Sequence, residues 1–69
     1  MDKSIAASII RKVRSLDNLL NDIDADLRQI SAKDEQQQLS RSLARVIAEL
    51  DSGLVRPIAR RFPDLDPDR

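Results

Sequence analysis

Apolar residues return every three or four positions through the first half of the chain: Ala6, Ile9, Val13, Leu16, Leu20, Ile23, Leu27 and Ile30. Alternating steps of three and four make a heptad seam, and no Gly or Pro interrupts it. The pattern therefore predicts a helix over residues 3–30, with Asp2 or Ser4 capping its start. Ile5, Ile10 and Leu19 lie on the flanks of this seam, so the stripe is wider than one partner helix needs. Two contact surfaces are implied for this half.

The series stops at Ser31, and from there to Gln38 no large apolar residue occurs. A turn over residues 31–37 fits the gap, with one continuous helix carrying a polar skip as the alternative. Ser31 with Asp34, and Asp34 with Gln37, both have capping-box spacing for opening a second helix. That helix is predicted over residues 38–61, where Leu39, Leu43, Val46, Ile47, Leu50, Leu54, Ile58 and Phe62 form the second stripe. Its spacing of nearly four residues drifts around an ideal helix. Pro57 lacks an N–H and its ring presses on the carbonyl of Gly53, so a kink is predicted over residues 53–57. Phe62 precedes Pro63, which places the helix end at Arg61. Residues 62–69 read as an extended acidic tail with Leu65 as its one anchor.

Composition removes most chemistry. The 69 residues make one small domain and contain neither Cys nor His, which excludes disulfides, thiolate nucleophiles, zinc sites of the usual ligands and the common neutral-pH base. A single Gly cannot build a phosphate-binding loop, and Phe62 alone is no stacking platform for unpaired bases. Asp22, Asp24 and Asp26 alternate like the opening of a calcium loop, but Leu27 stands where the sharp turn needs Gly and Lys33 where the last ligand belongs. No catalytic residue, metal ligand or cofactor site is predicted, and the chain is read as not an enzyme.

Twelve basic residues balance twelve acidic ones, so any nucleic-acid contact requires a local patch. Two basic clusters qualify: Arg11, Lys12 and Arg14 on the first helix, and Arg56, Arg60 and Arg61 late in the second. An antiparallel hairpin brings them to the same end, where they would contact phosphate or a protein partner. At the other end Asp22, Asp24 and Asp26 fall near the level of Arg41 and Arg45. The longest nearly apolar stretch, Ile5 to Ile10, is too short to span a bilayer, and no cleavable signal pattern is present. A cytoplasmic protein without membrane contact is expected.

Asp34, Glu35 and Gln36, followed by Leu39, Ser42, Leu43, Glu49, Leu50 and the ending Arg61, Phe62, resemble the turn and second helix of the repressor-of-primer (Rop) family. The resemblance covers about half of the chain; the first helix shares only the heptad register. It implies a small helical hairpin that dimerises into a four-helix bundle and binds paired RNA loops. The family's RNA face uses polar, basic and Phe residues along the first helix, where the nearest registers here place Ser15, Leu19 and Asp26.

The expected architecture is all-α: an antiparallel helical hairpin with a Pro-kinked second helix, assembling into a four-helix bundle because one hairpin has too little core of its own. The expected partner is a second copy of the chain. Ile5, Ile9, Ile10, Val13, Leu16, Leu19, Leu20, Ile23, Leu27, Leu43, Val46, Leu50, Leu54, Ile58 and Phe62 are assigned to the interface. The function expected is that of a structural or protein-interaction module. The alternatives are a Rop-like RNA or DNA regulator using the Arg-rich end, and an adaptor docking a helix of another protein against Ile5, Ile10 and Leu19.

Overall fold

A computed structural model of the chain describes residues 1–65, all of them in helices, turns or short connections. Helix α1 spans Lys3–Leu27 and α2 spans Lys33–Leu50; a π-helical turn, Asp51–Val55, leads into α3, Arg56–Arg61, and a 3-10 turn covers Pro63–Leu65. The second long segment runs back along the first, giving the helical hairpin.

Both ends of α1 have identifiable causes. Asp2 caps the start: its Oδ1 accepts the Ile5 N–H at 2.9 Å. The helix ends at Leu27 rather than near residue 30, because the N–H groups of Gln29 and Ile30 turn back to the carbonyls of Asp26 and Leu27, three residues away. Such bonds tighten the last turn and close the helix. Ile30, counted in the seam by spacing, therefore sits half-buried in the turn.

The second helix starts at Lys33, earlier than the expected residue 38. Apolar spacing could not register this first turn, since Lys33 to Gln38 are polar. Asp34 and Glu35 in it complement the positive end of the helix dipole. Neither expected capping box forms: the cap position is Ala32, with no side-chain bond to the helix. Gln36 serves the other helix instead, its Nε2 donating to the Leu27 carbonyl at 3.1 Å.

Near Pro57 the chain widens into the π turn, in which the Arg56 N–H reaches the Asp51 carbonyl five residues back. Pro57 has no N–H to offer and sits in the first turn of α3, where that donor would be spare. The π turn changes the phase of the apolar stripe. Spacing places Leu54 in the series, yet Leu54 is 43% exposed whereas Val55 is 9% exposed.

The segment after Phe62 is a 3-10 turn rather than extended chain through Leu65. The Leu65 N–H donates to the Phe62 carbonyl at 2.9 Å, and Asp64 pairs with Lys3. The last part of the expected acidic tail, 66–69, lies outside the described residues. Ile58, Phe62 and Leu65 pack with Ala6, Ile9 and Ile10 at this end of the hairpin, with Ala6 fully covered. Ala6 has only a Cβ, which lets the larger Ile58 approach.

Candidate interaction surface

The core of the hairpin is small. Among the described residues only Ala6, Ile10, Val55 and Ile58 are buried, and no large side chain is fully enclosed. Ile5, Leu16, Leu19 and Ile23 of α1, and Leu39, Val46, Ile47 and Leu54 of the second segment, remain exposed; Leu19 is 60% exposed and Val46 52%. Exposed apolar residues scattered singly are ordinary on a monomer, so their arrangement decides whether they form a surface.

Helix geometry supplies that arrangement. At roughly 100° per residue, Ile5, Leu16, Leu19 and Ile23 fall within about 60° of one another, about a quarter-turn behind the direction of Ala6 and Val13. On α2, Leu39 and Val46 likewise lie behind the residues turned toward α1, Leu43 and Ile47. Offsets of the same sense on two antiparallel helices point to the same side of the pair. One face of the hairpin thus carries both stripes.

Of the residues assigned to an interface, Ile5, Leu16, Leu19, Ile23, Val46 and Leu54 are exposed. Ile9, Val13, Leu20, Leu27, Leu43, Leu50 and Phe62 are half-buried. Ile10 and Ile58 are already covered within the single chain, at 6% and 5% exposure. The docking flank of Ile5, Ile10 and Leu19 therefore reduces to Ile5 and Leu19, because Ile10 belongs to the hairpin's own core. Val55, buried here, was invisible to the spacing argument because only the π turn brings it inward.

Depressions lie along the hairpin. A shallow groove of about 650 Å³ follows α2 into the π turn, lined by Ser42, Arg45, Val46, Glu49, Leu50, Gly53 and Leu54. Its floor is apolar, with Arg45 and Glu49 as its charged wall. A cleft of about 340 Å³ between the long helices has Val13, Leu20, Ile47, Leu50 and Val55 inside and Arg14, Asp17 and Asp51 around it. Leu20 and Leu50 line this cleft together.

The six basic residues singled out by sequence, Arg11, Lys12, Arg14, Arg56, Arg60 and Arg61, are all exposed. Acidic and aromatic neighbours engage several. Arg56 Nε donates to Asp51 Oδ2 at 2.8 Å, Arg61 lies 5.8 Å from the centre of the Phe62 ring, and Arg14 shares the cleft with Asp17 and Asp51. At the opposite end, Asp24 pairs with Arg28 at 3.0 Å along its own helix. Among the described residues, the ion pairs observed do not join Asp22, Asp24 or Asp26 to Arg41 or Arg45.

Among the described residues no group of three His, Cys, Asp or Glu side chains is placed to hold a metal ion, and no helix is long and apolar enough to cross a membrane. No protein-family model, curated protein or solved structure significantly matches the chain.

Proposed function

We propose that this protein is a structural or protein-interaction module that works as a homodimer, two hairpins closing their apolar faces into a four-helix bundle. The observation that carries the reading is the paired stripe of exposed Leu16, Leu19 and Ile23 beside Leu39 and Val46, against a buried set of only four among the described residues. A second hairpin would remove these side chains from water at about 25 cal/mol per Å² of apolar area, the largest favourable contribution open to a chain with so small a core. The π turn and Pro57 would bend the end of the second helix toward α1, allowing Ile58, Phe62 and Leu65 to close one end of the bundle.

The reading as an RNA or DNA regulator has less support. The Arg-rich end is partly neutralised by Asp51 and by the pairing of Lys3 with Asp64, and zero net charge gives no long-range attraction for phosphate. Its alternative status rests on Arg11, Lys12 and Arg60, which are exposed.

Sedimentation equilibrium tests the proposal. A mass twice the single chain's 7.8 kDa, with a melting temperature that rises with protein concentration, is expected. A cooperatively folded helical species at the single-chain mass at micromolar concentration would refute it.

A further inference from the structure

The side of the hairpin turned away from the exposed apolar stripes carries a different surface, the cleft of about 340 Å³ between the long helices. We infer that this cleft binds a free amino acid with an apolar side chain, its carboxylate held by Arg14 and its ammonium by Asp17. The site faces away from the proposed bundle contact and does not rest on the homodimer reading.

Helix geometry puts the cleft on that side. At roughly 100° per residue, Asp17 and Arg14 point about 30° and about 90° from the direction of Ala6 and Val13, in the sense opposite to Leu16 and Leu19. On the second segment, Ile47 and Asp51 are likewise turned away from Leu39 and Val46. Val13 and Val55 stand toward the end closed by Ile10 and Ile58, and Leu20 and Ile47 stand toward the turn. Asp17 and Asp51 therefore fall halfway along, on opposite walls.

The lining divides by chemistry. Val13, Leu20, Ile47, Leu50 and Val55 bring no hydrogen-bonding side chain, so the polar groups are confined to the rim. Asp51 is already engaged, its Oδ2 accepting from Arg56 Nε at 2.8 Å. Arg14 and Asp17 are exposed, and among the described residues neither side chain makes an ion pair or a hydrogen bond. Three residues apart on one helix, they are separated by about 4.5 Å along its axis and about 60° around it. An uncommitted cation and an uncommitted anion thus stand side by side above an apolar floor.

An α-amino acid presents the matching set: a carboxylate and an ammonium on one carbon, and a side chain projecting from it. Guanidinium takes a carboxylate through two parallel hydrogen bonds, and a carboxylate accepts from an ammonium. Asp51 on the facing wall adds negative charge near the ammonium, while a Leu- or Phe-sized side chain covers the floor. The volume lies at the lower end of small-ligand sites, roughly 300–1,000 Å³. A fatty acid would satisfy Arg14 alone and an alkylamine Asp17 alone, so the pair selects the zwitterion. The cleft is open and the ligand small, which sets the dissociation constant on the order of 1 mM.

NMR titration of the unmodified chain with L-leucine tests the inference, with two analogues as probes: L-leucinamide lacks the carboxylate, and 4-methylpentanoate lacks the ammonium. Leucine should shift the amides of Val13, Asp17, Ile47 and Val55 saturably, and each analogue should bind about fivefold more weakly, the loss of one exposed charge contact. Arg14→Gln should reduce leucine binding to the level of leucinamide, and Asp17→Asn to that of 4-methylpentanoate. Both positions are exposed, and the analogues decide on the unmodified chain whatever the variants do. No saturable shift up to about 50 mM leucine, analogues that bind as well as leucine, or shifts at Ser42 and Val46 in the α2 groove instead would each overturn the inference.

Discussion

Gln36 donates from its side-chain amide to the carbonyl of Leu27, at 3.1 Å, so the first turn of the second helix caps the last turn of the first. A helix leaves its final carbonyls without intrahelical donors, and here a residue from beyond the turn supplies one. The bond ties the two helices at the point where the chain reverses. Gln36→Ala should lower stability by about 1 kcal/mol, and Gln37→Ala, on the exposed side, by less than about 0.5. Urea unfolding monitored by circular dichroism measures both; equal effects would show that the cap contributes nothing.

Ile58 is 5% exposed and belongs to the cluster of Ala6 and Ile10, whereas Ile47 is 45% exposed. Truncating the first leaves a cavity; truncating the second loses mainly partial contact. Ile58→Ala should cost about 2–5 kcal/mol and Ile47→Ala under about 1.5. Comparable losses in thermal unfolding would mean that the end of the second segment is not docked on α1.

Asp2 and Ser4 were equivalent caps by sequence, and the observed bond runs from Ile5 N–H to Asp2. Asp2→Ala should therefore cost about 1 kcal/mol, while Ser4→Ala changes stability by less than about 0.5. A reversed order in chemical denaturation would reassign the cap.

Gly53 has no positive φ, and a Cβ added there would stand 3.5 Å from Glu49 Oε2, an ordinary contact. Gly53→Ala should raise stability by about 0.5–1 kcal/mol by restricting the unfolded chain. A lower melting temperature would show that another copy's backbone needs this space, or that the π turn itself requires glycine.

Much of the local structure was legible in the chain. The heptad seam marked α1 but ran on to Ile30, three residues past its end; the polar gap marked a reversal but placed it over 31–37, where α2 already begins at Lys33; and Phe62 before Pro63 marked the end of α3. These are short-range matters: apolar periodicity, turn chemistry and the missing N–H of proline act over a few residues. The polar start of α2 escaped because Lys33 to Gln38 have no apolar residue whose spacing could reveal a helix.

What the tertiary structure alone decided is where each apolar side chain goes. Ile10 and Leu19 flank the seam equally by sequence, yet Ile10 is buried under the end of the second segment and Leu19 faces outward. Val55 turns inward only because the π turn adds a residue to the helix before Pro57. Periodicity fixes the angle between side chains on one helix, but the direction of that set depends on where the neighbouring helix lies. That choice is made by long-range packing, in which Ile58 settles on Ala6 and thereby leaves the face of Leu16, Leu19 and Val46 open.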